Sequence, residues 1–207
     1  MKSNYRLSFT GASFFLHETI ELSKLCLEYD NCTDAVNSLL SSDVLDRSKS
    51  TVKRESAEIV LRLNSLPATL LEKFATTDHD DAKIILLYAI IKTYPIIKEF
   101  CLEVLYEKML IMDNILQEYE INAFLRKKEE AYEVFDEKSD ATKKKLKQVM
   151  IKILADSDIL NSTKERVIIK PYIDTGIARM ILDDSDENYL RALLMNDSEI
   201  SMLGVAS

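Results

Sequence analysis

Glycine and proline are both scarce in this chain, and that scarcity limits its possible folds more than any other feature does. Each occurs three times among 207 residues. Tight hairpins and bulges depend on glycine for positive backbone angles and on proline for fixed turns. Because so few of either are present, folds built from many short strands are disfavoured. We therefore predict an all-α fold, in which a compact set of helices is joined by polar loops.

Two segments with apolar residues at helical spacing support this prediction. In the first, Ile84, Leu87, Tyr88 and Ile91 follow the i, i+3, i+4, i+7 pattern, so we expect them to lie on the central buried helix. In the second, residues 146–154 place one apolar face among lysines, which is typical of an amphipathic helix.

The rest of the chain gives further expectations. A first helix is expected over residues 12–29, and the charged stretch 117–138 predicts a long exposed helix. The acidic C-terminal region predicts two helices. The exception to the all-α pattern is one small β-hairpin, or wing, in which residues 159–160 would pair with residues 167–169.

We expect residues 1–207 to form a single globular unit. A chain of this length suits one core, and no low-complexity linker divides it. A finer division would separate an N-terminal helix-turn-helix-like part (1–66), a central helical core (67–138) and a C-terminal winged-helix-like part (139–207).

No segment is predicted to span a membrane. The most apolar run, Ile84 to Ile91, would rise about 12 Å as a helix, whereas the hydrocarbon core of a bilayer is roughly 30 Å thick. The N-terminal residues become polar and acidic too early for a signal-peptide core. Cys26, Cys32 and Cys101 show no CxxC spacing, so we interpret them as buried reduced thiols of a cytoplasmic protein.

Charge is unevenly distributed along the chain. The formal net charge is −8, which by itself argues against nucleic-acid binding. Between residues 138 and 152, however, six lysines oppose a single aspartate, and between 183 and 199 six acidic residues oppose a single arginine. The sequence therefore predicts a basic face on an acidic protein.

No motif for catalysis is present in the sequence. Its glycines are too far apart for a phosphate-binding loop, and there is neither a G-x-S-x-G nor an H-E-x-x-H segment. His79 lies in the acidic run Asp78-His79-Asp80-Asp81, which we interpret as a helix cap rather than a metal site, because consecutive residues seldom converge on one ion. We predict that the protein is not an enzyme and binds no cofactor or metal.

Two basic segments are candidates for nucleic-acid binding. The first is residues 33–63, which predict a short helix, a polar turn and a second helix, as in a helix-turn-helix. Hydroxyl and basic side chains at the start of the second helix can donate to phosphates or read base edges. These residues are Lys49, Ser50, Thr51, Lys53 and Arg54. The alternative is two packed helices that carry a solvated basic patch.

The second candidate is residues 139–172, where a lysine-rich helix start precedes the predicted hairpin. That order is typical of half a winged helix. The candidate DNA-binding residues on the helix are Thr142, Lys143, Lys144, Lys145 and Lys147, and the hairpin adds Lys164, Arg166 and Lys170. The lysines cluster instead of alternating with acidic residues, which is unusual for a face that only confers solubility. A solvated helix face is the alternative interpretation.

The sequence as a whole resembles the BrxA family, small accessory proteins of BREX phage-defence systems. The similarity covers nearly the whole chain and consists of diffuse matches rather than a catalytic signature. The segments that carry it are Tyr5–Ala12, Ser50–Arg54 with Ile59 and Arg62–Leu63, Ala89–Pro95 with Phe100, and Ala141–Leu146.

This resemblance implies an all-helical, NusB-like fold with helix-turn-helix elements and binding of duplex DNA. It also implies work beside a BREX methyltransferase, ATPase and phosphatase-like protein. We therefore predict a non-enzymatic DNA-binding accessory protein. Two alternatives stay open, namely an interaction scaffold for other BREX subunits and an RNA-binding protein similar to NusB.

Overall fold

The computed structural model describes residues 5–11, 13–29, 32–41 and 49–205. Over these residues the chain is mostly helical, so the all-α prediction is confirmed. The helices are, in chain order, α1 (Leu16–Glu28), α2 (Cys32–Ser41), α3 (Lys49–Leu63), α4 (Ala68–Thr76), α5 (His79–Thr93), α6 (Pro95–Phe100), α7 (Glu107–Leu110), α8 (Glu118–Ala131), α9 (Glu133–Asp136), α10 (Asp140–Asp156), α11 (Thr175–Asp184), α12 (Glu187–Ala192) and α13 (Asp197–Val205). None of the helices so described is both long and apolar enough to cross a bilayer.

Helix α5 lies at the centre of the core, as its apolar pattern predicts. Every residue from Ile84 to Ile91 is at most 4% exposed, so this part of the helix is covered on all sides. Helices α1, α3, α4, α6, α11 and α12 pack around it. The side chain of Asp78 accepts a hydrogen bond from the backbone N–H of Asp81 and caps the helix. The acidic residues at this point therefore have a structural role as a cap.

A second long helical stretch supports the part of the molecule that follows α5. Helices α6 and α7 are joined by a π-helical turn over Cys101–Tyr106, which gives continuous helix from Pro95 to Leu110. Helix α8 packs along this stretch, and the rings of Phe100 and Phe124 meet edge-on with 5.1 Å between centroids.

The charged stretch 117–138 is not a single exposed helix, and that prediction is wrong. The helical run breaks at Tyr132, between α8 and α9. Ile121, Phe124 and Phe135 are buried in the core. The apolar positions recur often enough along α8 to bury one of its faces, despite the many charges between them.

Buried lysines also attach α8 to the preceding helical stretch. The side chain of Lys128 is 6% exposed, and its Nζ lies 2.5 Å from Glu99 Oε2 and 2.7 Å from Glu103 Oε1. Lys108 is buried to the same degree and forms ion pairs in the same way. Burial alone would lower the pKa of each lysine, but hydrogen bonds to carboxylates outweigh it and raise the pKa. Both lysines therefore stay charged inside the fold.

The N-terminal helices differ from the sequence-based expectation in two respects. Helix α1 begins at Leu16, later than predicted, because Phe15 adopts a left-handed backbone conformation with φ of 53°. Cys26 and Cys32 form a disulfide between α1 and α2, so their interpretation as reduced thiols is wrong. Cys101 is free and buried, and burial raises the pKa of its thiol to about 12.

The acidic C-terminal region forms three short helices, α11 to α13, where two were predicted. Its acidic residues are partly explained by capping, since Asp174 and Asp186 accept hydrogen bonds from the first backbone N–H groups of α11 and α12. Asp184, at the end of α11, accepts a hydrogen bond from Lys92 Nζ at 2.5 Å and another from the Tyr88 hydroxyl at a similar distance. These contacts hold the C-terminal helices against α5.

Arg62, on α3, is fully buried, which is rare for arginine. Its Nη1 donates to the carbonyl of Ser13 at 2.7 Å and to that of Phe14 at 3.2 Å. The guanidinium also lies 5.5 Å from the centroid of the Tyr94 ring. One side chain thus fixes the segment before α1 to both α3 and the core.

Replacing Arg62 with alanine should lower the free energy of unfolding by about 3 kcal/mol or more, because it removes the donor to two carbonyls and opens a cavity beside Tyr94. Urea unfolding of the purified protein measures the loss. Arg54→Ala, on the exposed side of the same helix, is the matched control and should change stability by less than about 0.5 kcal/mol. Equal losses in the two variants would contradict the role assigned to Arg62.

Candidate nucleic-acid interface

Helix α10 has one apolar face in the core and one lysine-rich face in solvent. The apolar positions, each at most 6% exposed, are those predicted from the sequence: Leu146, Val149, Met150, Ile153 and Leu154. The Ser139 hydroxyl caps the helix by accepting a hydrogen bond from the backbone N–H of Thr142 at 3.3 Å. Because the helix repeats every 3.6 residues, the lysines between the apolar positions are directed outward.

The predicted hairpin after α10 is present as an isolated antiparallel bridge. Leu160 pairs with Ile168, and the backbone N–H of Ile169 donates to the carbonyl of Ile159 at 2.9 Å. In the turn between them, the side-chain oxygen of Asn161 accepts a hydrogen bond from the backbone N–H of Val167 at 2.9 Å. Within the described residues the two segments do not lengthen into regular strands, so the hairpin is shorter than expected.

A third segment, between α7 and α8, completes this pairing. Ile115 forms an antiparallel bridge with Val167, and the backbone N–H of Leu116 donates to the carbonyl of Arg166 at 3.0 Å. The chain order is therefore this extended segment, helices α8 to α10, and the two segments of the hairpin. The last hairpin segment lies between the other two extended segments.

Two grooves flank α10, and two of the predicted lysines, Lys144 and Lys147, border both. The turn groove, between α10 and the hairpin turn, has a volume of about 400 Å³ and is bordered by Lys144, Lys147 and Arg166. The helix groove, between α8 and α10, has a similar volume and is bordered by Lys144 and Lys147 together with Arg126 and Lys143. Because two lysines are shared, the grooves form one continuous basic area, which we call the α10 surface.

Acidic side chains of α8 neutralise part of the α10 surface. The carboxylate of Glu118 bridges Lys147 and Arg166, with one oxygen on each cation. Glu129 Oε2 lies 3.5 Å from Lys143 Nζ. Hydrogen bonds from Lys147 and then Arg166 lower the pKa of the Glu118 carboxyl below its usual range. Three of the surface cations are therefore already paired within the protein.

Lys144 and Lys145 differ from these paired cations. Both side chains are exposed, and across the described residues neither forms an ion pair. The hydroxyl of Thr142 lies 2.9 Å from that of Ser139, so this predicted site residue takes part in the helix cap. Of the predicted residues on α10, the two exposed lysines are the most available to an anionic ligand.

The first predicted cluster is described only in part. It comprises Lys49, Ser50, Thr51, Lys53 and Arg54, which the backbone places in the first turns of α3. The side chains of the first three, and the turn before α3, lie outside the described residues. Lys53 and Arg54 are exposed. Helices α3 and α10 both pack against the 3-10 turn Ser8–Gly11, but within the described residues no hydrogen bond or ion pair joins the two clusters.

Sequence reasoning missed the contribution of α8. Glu118, Asn122, Arg126 and Glu129 recur every three or four residues and so share one face of this helix, the face that borders α10. That periodicity is visible in the sequence, but the partner helix is not. The alternating charges of α8 therefore looked like an ordinary solvated face.

Comparisons with known proteins agree with this architecture. A family model described as BrxA matches residues 3–185, a span that includes the whole α10 surface. A BREX protein BrxA from Bacillus cereus (strain H3081.97) is 31% identical over 157 residues, which is 75% of this chain and 78% of that protein. The crystal structure of an uncharacterized protein from Magnetospirillum magneticum has a TM-score of 0.78 at 19% identity, covering 92% of this chain and 98% of that chain. The structural likeness shows a shared fold.

The bridge at Glu118 predicts a specific titration behaviour. Glu118 should titrate below an ordinary glutamate in an NMR pH titration of its side-chain carbon, and Lys147→Ala or Arg166→Ala should raise its pKa. Because the pKa is lower in the folded than in the unfolded state, the bridge stabilises the fold above the ordinary glutamate pKa. That stabilisation is lost as the pH falls through the lowered value. An unchanged Glu118 pKa in both variants would refute the bridge.

Proposed function

This chain belongs to the BrxA family of BREX phage-defence systems, and from that membership we propose that it is a non-enzymatic accessory protein that binds duplex DNA through the α10 surface. The single observation that carries the proposal is the lysine-rich face of α10 beside the hairpin turn. Lys144 lies there exposed, and the exposed Lys145 follows it on the same helix, on a chain whose net charge is −8.

The order of elements around α10 supports this function. The chain runs from an extended segment through helices to a terminal hairpin, and the last segment lies in the middle of the pairing. This order is similar to that of a winged helix and supports the proposal. In helix-turn-helix proteins the second helix of the motif enters the major groove, where its first residues meet phosphates and base edges. We infer that helix α10 corresponds to that helix. Its diameter with side chains, about 10–12 Å, fits a major groove about 12 Å wide.

The distribution of charge supports DNA binding more than the net charge opposes it. Phosphate contacts depend on cations within a few ångströms, and distant charges are screened beyond about 10 Å at 0.1 M salt. Thr142, Lys143, Lys144, Lys145 and Lys147 would contact the backbone of one groove edge. The hairpin turn, which carries Lys164 and Arg166, would meet the adjacent backbone.

Lys144→Ala/Lys145→Ala should weaken binding to duplex DNA at least tenfold at low salt and reduce the slope of log K against log salt by about two, since each phosphate contact contributes about −0.9. Fluorescence anisotropy at several salt concentrations measures both quantities. Lys24→Ala/Lys73→Ala changes the net charge equally, on α1 and α4, and serves as the matched control. No binding by the natural protein at low salt, or equal effects of the two variants, would exclude this function. Stronger competition by single-stranded RNA than by duplex DNA would favour the RNA-binding alternative instead.

The first basic cluster is proposed as an auxiliary contact on the same duplex. Lys49, Ser50 and Thr51 would meet phosphates at the start of α3, with Lys53 and Arg54 one turn later. In the same anisotropy assay, Lys53→Ala/Arg54→Ala should weaken binding less than the α10 variant does.

Exposed apolar side chains support a second function, the binding of another BREX subunit. Five side chains within ten residues of chain, from the end of α7 to the start of α8, are each at least 50% exposed: Leu110, Ile111, Met112, Ile115 and Tyr119. Exposed apolar groups gathered in this way are typical of protein interfaces. Ile111 and Tyr119 also line a cavity of about 440 Å³, whose rim carries Glu103 and Glu107. Lys108 and Lys127 line the same cavity, so a partner helix with an apolar face would complement this surface.

Ile111→Ser/Tyr119→Ser should abolish binding to the partner while leaving the net charge and duplex DNA binding unchanged. Pull-down of the purified BREX methyltransferase, ATPase and phosphatase-like protein, each tested singly, identifies the partner. Leu27→Ser, at an exposed leucine of α1, is the control and should retain binding. If neither the natural protein nor the control retains any of the three subunits, this second function is excluded.

A further inference from the structure

Glu118 occupies an unusual position on the α10 surface. It is the first residue of α8, and its two carboxylate oxygens contact cations on two other elements, Lys147 of α10 and Arg166 of the hairpin. Lys147 also donates to Asn122 Oδ1 at 2.7 Å. The two cations thus converge on one anion, the Glu118 carboxylate, at the edge of the turn groove.

The group that Glu118 supplies is chemically similar to a DNA phosphate. A carboxylate and a phosphodiester each present two oxygens that share one negative charge, and both accept hydrogen bonds from ammonium and guanidinium groups. Lys147 and Arg166 therefore form a two-point anion site that would suit either. Lys144 borders the same groove and adds a further positive charge beside it.

We propose that Lys147 and Arg166 form a binding site for one backbone phosphate, which Glu118 occupies in the free protein and yields when DNA binds. The proposal rests on the DNA-binding function proposed above and adds a regulation of it. Glu118 competes with the nucleic acid for these two cations, so it lowers the affinity for a duplex that places a phosphate at this point.

The exposures of the three side chains favour such an exchange. The side chain of Glu118 is 52% exposed, whereas those of Lys147 and Arg166 are 23% and 21% exposed. The carboxylate can therefore rotate into solvent while the two cations stay in place. Asn122, which also contacts Lys147, would keep that lysine oriented after Glu118 has left.

Glu118 is not needed to start its own helix. The start of α8 is capped by Glu120, whose Oε2 accepts a hydrogen bond from the backbone N–H of Gln117 at 2.7 Å. The substitution Glu118→Gln keeps the size of the side chain and should leave this cap intact. Its effect on binding can therefore be separated from an effect on folding.

The test compares Glu118→Gln with the natural protein in binding to a duplex DNA of fixed sequence, by anisotropy at several salt concentrations. Freed of their internal partner, the two cations would acquire counterions that DNA releases. The variant should bind roughly five- to tenfold more tightly at 0.1 M salt, and its salt dependence should steepen by about 0.9 per additional contact. Glu130→Gln, an equal charge change on an exposed residue of the same helix, should produce a much smaller gain.

Two results would overturn the proposal. One is an equal increase in DNA affinity from Glu118→Gln and Glu130→Gln, because the increase would then be explained by the change in net charge alone. The other is an increase in DNA affinity from Glu118→Gln that persists when Lys147→Ala/Arg166→Ala is already present. The proposal requires these two cations for the increase, so removing them should abolish it.

A second probe separates this proposal from the DNA-binding function. Inorganic pyrophosphate is titrated into the natural protein and into Glu118→Gln, and the side-chain NMR signals of Lys147 and Arg166 are followed. Tighter pyrophosphate binding by the variant supports the anion site even if neither protein binds DNA, in which case only the proposed function fails. If the natural protein binds DNA but Glu118→Gln binds neither DNA nor pyrophosphate more tightly, the exchange proposal is wrong while the proposed DNA-binding function is retained.

Discussion

The complete burial of α5 is the constraint on which the rest of the structure depends. A helix that is apolar on every side must be surrounded, and the chain wraps α1, α3, α4, α6, α11 and α12 around it. Helix α8 is joined to this layer through the continuous helix that begins at Pro95, and α10 through the turn Ser8–Gly11. Because α10 buries only one face, its lysine-rich face stays in solvent beside the hairpin. The α10 surface therefore lies at the edge of the hydrophobic core, on the face of α10 that the core does not cover.

The lysines of this acidic protein differ in burial and in ion pairing, and these differences determine which of them contribute to the basic surface. Lys108 and Lys128 are buried and fully paired, so they hold α8 to the core and contribute nothing to the surface field. Lys143 and Lys147 are partly covered and paired with carboxylates of α8. The two exposed lysines in the first two turns of α10 form no ion pair within the described residues and are therefore the most available to an anionic ligand. A count of charges along the sequence treats all of these lysines alike, although their surroundings give them different roles.

The sequence predicted what depends on local periodicity and missed what depends on distant pairs. The buried faces of α5 and α10 followed from apolar spacing, and the hairpin at Leu160 followed from its flanking turn. The disulfide between Cys26 and Cys32 did not, because it requires a residue of α1 to meet the first residue of α2. Glu118 lies 29 residues from Lys147 and 48 from Arg166, so no local pattern shows that the three meet. The extended segment at Ile115 was missed for the same reason, since its pairing partner is equally remote.

The two proposed binding surfaces are physically connected through that extended segment. Ile115 belongs to the exposed apolar group and pairs with Val167, next to Arg166 of the anion site. The backbone N–H of Leu116 donates to the carbonyl of Arg166 at 3.0 Å, and Glu118 follows two residues later. A subunit docked on the apolar group would restrain the same few residues that position the carboxylate and the arginine. Binding of a protein partner and exchange of Glu118 for a phosphate would then draw on one element, and each would alter the free energy of the other.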